Sequence, residues 1–168
     1  MFSEIKKISS LLLSVAFSSI GFIASITVTV LAAREVSSNP LFVGFPNAVG
    51  VGGAVLGTRM IYLISKNNSQ LNALAFTFLI GAFGGAIMFY SLIVDSFVLL
   101  LFGAFILGIG QSATLQTRYA ASFVASEKFK ATALSLAVWF SVFGSVFGPR
   151  MVGSYSNFFE NILVNFAP

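Results

Sequence analysis

From residue 8 to residue 153 the chain is a series of long apolar runs separated by short polar joints. The runs cover residues 8–33, 41–65, 71–94, 97–123 and 131–153. Each is about 20 residues or longer, the length a helix needs to cross the hydrocarbon core of a bilayer. The joints Ser37-Ser38-Asn39-Pro40, Lys66-Asn67-Asn68-Ser69-Gln70, Asp95-Ser96 and Ser126-Glu127-Lys128 are polar and rich in turn formers. This pattern predicts an all-α integral membrane protein, with residues 1–153 forming a bundle of five transmembrane helices. Joints this short make each helix antiparallel to the next. The last stretch, residues 154–168, is too short and too polar to cross back and is expected to be an outer loop or interfacial tail.

Composition supports lipid as the solvent. Hydrophobic residues make up 57% of the chain and charged residues 8%, against about 25% charged in an average soluble domain. The first apolar run is much longer than the roughly 7 to 15 residues of a signal-peptide core, so it is expected to remain as the first span. Neither cysteine nor histidine occurs, which removes disulfides, thiolate chemistry and the usual transition-metal ligands. The five carboxylates fall away from the middle of every run, so paired-carboxylate and metal-assisted catalysis lack their parts. No cofactor and no enzymatic activity are expected.

A formal charge of +4 changes the picture through its distribution. The cations are scattered between apolar runs and form no patch that could track phosphates, so a nucleic-acid partner is not expected. With the N-terminus inside, Lys6, Lys7, Arg59, Lys66, Arg118, Lys128 and Lys130 lie at cytoplasmic ends, and only Arg34 and Arg150 lie outside. That asymmetry predicts a cytoplasmic N-terminus, and the chain is expected to be a multi-pass protein of the plasma membrane.

Helix-to-helix contacts in lipid favour small residues, so each run was projected at 100° per residue. Ser10, Ser14, Ser18, Gly21, Ser25 and Thr29 share a face of the first, and Gly50, Gly53 and Gly57 a line on the second. Thr77, Gly81, Gly84 and Gly85 group on the third, and Ser141, Gly144, Ser145 and Gly148 on the fifth. These faces are expected to meet protein. On the fourth run Gln111, Thr114 and Arg118 share a stripe with Gly103 and Gly110. Two readings stay open. Arg118 snorkels to inner headgroups over a face that only packs, or Gln111 and Thr114 line a solvated cavity with Arg118 at its inner mouth. A mid-bilayer carboxamide normally has a partner, which makes Gln111 the better candidate.

The sequence Gly144-x-x-x-Gly148-Pro149-x-x-x-Gly153 resembles the fifth-helix Gly-Pro motif of the major facilitator superfamily. Proline loosens the helix there, and the glycines let it press on a neighbour. The passage from Gly110-Gln111 through Arg118-Tyr119-Ala120-Ala121 to Glu127-Lys128-x-Lys130-Ala131 resembles helix four, the basic turn and helix five of facilitator-type permeases. Gly53-x-x-x-Gly57 followed by Lys66-Asn67-Asn68 stands in the place of the family's loop motif between helices two and three. The expected aspartate is absent there, and Lys66 alone remains of the basic cluster.

The resemblance implies helices one to five of the first six-helix half of such a transporter, with substrate bound near the midplane. Ser18, Ser25, Asn47, Gln111, Thr114 and Arg118 are then the candidates for the substrate cavity. Gly50, Gly53, Gly57, Gly144, Gly148, Pro149 and Gly153 are the packing and pivot candidates. The partners implied are the lipid bilayer, a small-molecule solute, and the missing remainder of the transporter or a second chain. Transport of a small solute by an incomplete permease, inactive alone, is the expected function, the chain being either a fragment or the product of an interrupted gene, or else a natural short chain that assembles with another. The alternative is a membrane scaffold or assembly subunit that docks another membrane protein. The small uncharged lining candidates point to neutral or amphipathic solutes.

Overall fold

In lipid every backbone N–H and C=O must find its partner within the chain, and helices achieve this segment by segment. A computed structural model describes residues 2–36, 40–67, 69–143 and 146–147. Helix α1 covers Phe2–Val36, α2 Phe45–Asn67, α3 Gln70–Ile93 and α4 Phe97–Val124. A fifth helix, α5, is described over residues 130–143. Four of these helices are long and apolar enough to cross a membrane, α1 through its segment Ser9–Val36. The protein is an all-α membrane protein. Gly144, Gly148, Pro149 and Gly153 of the Gly-Pro segment, and the expected outer tail over residues 154–168, lie outside the described residues.

The second helix begins four residues later than the apolar run suggests. Leu41 and Phe42 lie in a short 3₁₀ turn, Pro40–Phe42, and α2 starts at Phe45. Pro46 is the cause. Its nitrogen has no hydrogen to donate to Phe42, and its ring would collide with that carbonyl, so proline is tolerated only in the first helical turn. Phe42 uses the break to meet Phe45 and Phe97 edge-on, with ring centroids 6.0 Å apart in each pair. This ties the entry of α2 to the entry of α4.

The α3–α4 reversal is tighter still. Asp95 adopts φ 49°, and Ser96 donates its N–H to Ser91 O at 3.0 Å. A left-handed residue just past the helix end, spanned by this six-to-one bond, is the Schellman closure. Ser96 then caps α4 by accepting from Leu99 N. The two helices return antiparallel and form the largest interface of the bundle, followed by α2 on α4.

That ranking makes α4 the central helix. Gly50, Gly53 and Gly57 of α2 are buried against it, and a Cβ at Gly53 would strike the backbone of Phe105. From the other side, a Cβ at Gly81 would stand 2.7 Å from Gly110 Cα, and one at Gly103 would stand 2.7 Å from Met88 Cγ. The backbones are therefore in direct contact, which only glycine permits. Helix α1 packs chiefly on α4 and far less on α2 and α3. Its N-terminal half joins α5 in a cluster of Leu12, Val15, Ala121, Ala125, Ala133 and Ala137, and its C-terminal half packs Ala32 and Ala33 with Met88, Leu100 and Ala104.

One expectation about α1 is corrected. Of the face containing Ser10, Ser14, Ser18, Gly21, Ser25 and Thr29, only Thr29 is buried, while Ser10, Ser14 and Gly21 are exposed. The packing face in the N-terminal half carries Leu12, Val15 and Ser19, roughly a third of a turn away at 100° per residue. Leu12 and Val15 anchor α1 to α4 and α5, and most of the small-residue face is left open beside α3 and α4.

Candidate functional site

The open face of α1 borders two cavities. The first, of about 240 Å³, is lined by Phe22, Ile26 and Thr29 of α1, by Pro46, Asn47, Gly50 and Val51 of α2, and by Ala104, Leu107 and Gln111 of α4. The second, of about 200 Å³, lies between α1, α3 and α4. Its walls include Ser18, Gly21, Phe22 and Ser25, then Phe78, Gly81 and Gly85, then Leu107, Gly110, Gln111 and Thr114. Phe22, Leu107 and Gln111 belong to both.

Four residues singled out from the sequence, Ser18, Ser25, Gln111 and Thr114, thus line one cavity, and Asn47 joins Gln111 in the other. Arg118 lines neither. It is half-buried, and its Nε is buried without a hydrogen-bond partner among the described residues. Of the packing candidates, Gly50 also reaches the first cavity, while Gly53 and Gly57 are buried against α4.

The polar groups are not equivalent. Ser18 donates to Val15 O at 3.2 Å, Ser25 to Phe22 O at 2.7 Å, and Thr29 to Ser25 O at 2.6 Å. Hydroxyls bonded back to their own helix have spent their donor and can offer a ligand only acceptor lone pairs. Among the described residues, the carboxamides of Asn47 and Gln111 have no such partner. Gln111 lies halfway along α4, so its amide is the freest hydrogen-bonding group at the depth where an unpaired one is costly. Neither lining contains a charged side chain.

Sequence reasoning missed Phe22, Leu107, Phe78 and Gly85 as cavity walls. Phe22 and Leu107 follow Gly21 and Ile106 in unbroken apolar runs, where nothing separates a wall from a lipid contact. Gly85 was visible as a small residue on the face of α3 and was read there as packing.

Long apolar helices joined by tight turns, with two cavities between them, define a multi-pass membrane bundle. No family model and no solved structure matches the chain. Two curated proteins of Bacillus subtilis (strain 168) do. The uncharacterized MFS-type transporter YddS is 32% identical over 157 residues, covering 94% of this chain and 36% of that protein. The uncharacterized MFS-type transporter YdeG is 31% identical over 146 residues, covering 87% and 34%. The chain belongs to the major facilitator superfamily of transporters. It spans about a third of the length of the curated relatives it matches.

Proposed function

We propose that this chain contributes a solute-binding wall to a facilitator-type permease of the plasma membrane, and that helices beyond these 168 residues complete the pathway. The observation that carries the reading is the convergence of both cavities on Gln111, an unpaired carboxamide halfway along the central helix. Its α1 walls sit on the helix that packs least on α2 and α3, which leaves the site open on one side. The length of the relatives supports a further set of helices facing that side. Alternating access of two bundles about a midplane site then provides the mechanism. Because neither lining is charged, a proton carrier for coupled transport has to come from outside these walls.

The test is uptake by the assembled permease in proteoliposomes, screened with radiolabelled uncharged solutes and repeated with Gln111→Leu. Losing one hydrogen bond made to the solute at mid-bilayer costs about 1 to 3 kcal/mol, or roughly 5- to 150-fold in affinity. Unchanged uptake in the variant removes Gln111 from the site. A chain that binds a second membrane protein but never sustains saturable uptake, whatever is added, turns the reading into that of a docking subunit.

A further inference from the structure

Glycine inside a helix is destabilising relative to alanine, so each one calls for a return. At Gly53, Gly57, Gly81, Gly84, Gly103, Gly108 and Gly110 the return is packing, since an added Cβ would meet a neighbouring helix closer than 3 Å. Gly21, Gly52 and Gly85 lack that explanation, and of these Gly52 lines neither cavity. A Cβ at Gly21 would meet nothing within 4 Å, and one at Gly85 would meet only Leu107 Cδ1 at 4.0 Å. Both line the second cavity, one from α1 and one from α3. The atoms they omit would occupy cavity space.

The same cavity has aromatic and aliphatic walls in Phe22, Phe78 and Leu107, and its Ser18 and Ser25 hydroxyls are turned to their own backbone. It is an apolar slot. The cavity that shares Gln111 with it carries the second unpaired carboxamide, Asn47. We propose that Gly21 and Gly85 are specificity-determining residues that make room for the bulky apolar part of an uncharged amphipathic solute, whose hydrogen-bonding end is read by Asn47 and Gln111. This rests on the cavity being the solute site proposed above. Side chains at 21 or 85 would restrict the slot to thinner solutes without touching the α2–α3–α4 packing.

The absence of native cysteine gives a direct assay. Ser25→Cys places a single thiol in the slot of the full chain in membrane vesicles, and its labelling rate is measured with methyl methanethiosulfonate and with bulky benzyl methanethiosulfonate. Gly21→Val and Gly85→Val are expected to slow the benzyl reagent tenfold or more and to leave the methyl reagent within twofold. Gly21→Ala and Gly85→Ala give a smaller shift of the same sign and serve where a valine variant fails to fold. Gly52→Val, at an exposed glycine with open space around it and outside both cavities, is expected to change neither rate. If both reagents react and no glycine variant alters their ratio, the specificity role is wrong while the cavity stands. If Ser25→Cys reacts no faster than Leu79→Cys on the exposed outer face of α3, the solvated cavity fails, and this proposal with it.

Discussion

A missing side chain can matter through what it lets approach or through the space it leaves, and the glycines of this bundle separate into the two kinds by geometry. A Cβ at Gly84 would fall within 3 Å of the Ile106–Leu107 backbone, which has no rotamer to yield. Gly84→Ala is therefore expected to destabilise the bundle by about 1 to 3 kcal/mol, the usual cost of overpacking. Gly52→Ala, with nothing near it, is expected to be neutral or stabilising by up to about 1 kcal/mol. Paired thermal melts in one detergent check both, and equal melting temperatures would remove the close-contact argument. Ser19 is a different kind of residue. It is 2% exposed, and its Oγ has no hydrogen-bond partner among the described residues. Ser19→Ala relieves an unsatisfied polar atom, so stability is expected to hold or rise by about 1 kcal/mol. A clear loss in the same melting assay would mean that the hydroxyl has a partner. Residue type alone did not distinguish these cases: Gly52 and Gly53 are adjacent letters in the sequence, and only the neighbouring helix decides which one is fixed.

At the scale of elements, the clearest result is how far helical periodicity reaches. Projection at 100° per residue put Gly50, Gly53 and Gly57 on one line, and the helix buries that line against α4. The same projection grouped the small residues of α1 on one face and expected that face to meet protein, whereas only Thr29 of it is buried. Periodicity supplies an azimuth and says nothing about what stands opposite, and in lipid the hydrophobic contrast that would orient a helix in water is absent. Leu12 and Val15 gave no signal as packing residues because the exposed Leu13 and Phe17 are equally apolar. The start of α2 was set by hydropathy at Leu41 although the stereochemical rule at Pro46 fixes it at Phe45, whereas the Asp95-Ser96 joint was recognised as a turn. Its left-handed residue was not foreseen, since aspartate occupies a place that glycine usually takes. Glycine at that position avoids the steric cost of the left-handed conformation, roughly 1 to 2 kcal/mol. Asp95→Gly is expected to raise the unfolding midpoint by about 1 kcal/mol of stability, and Asp95→Val to lower it, because a β-branched side chain fits that conformation worst. Should Asp95→Val melt with the parent, the reversal does not depend on its closure.

For the whole molecule, the pieces combine into a constraint on how it sits in the bilayer. The α1–α2 connection lies beside the start of α4 through the Phe42–Phe97 contact, so this end of the bundle also holds the Asp95 turn. The opposite end holds the α2–α3 joint at Ser69 and the α4–α5 joint at Ser126, where Lys128 is exposed and Lys130 pairs with Glu127 at 2.6 Å. That exposed ion pair adds little stability, but the charges around it have a topological use. Positive residues are retained on the cytoplasmic side, and Lys66, Lys128 and Lys130 all belong to the Ser69–Ser126 end. With a chain free of cysteine, Ser69→Cys and Ser126→Cys are expected to react with an impermeant maleimide only after the membrane is opened, and Ser96→Cys in intact cells. Labelling of all three from outside would show an inverted or mixed insertion. Labelling of Ser69→Cys from one side and Ser126→Cys from the other would break the antiparallel pairing of α3 and α4 itself. The second outcome bears on function as well as topology, because the two cavities meet at Gln111 only if α4 returns alongside both α2 and α3.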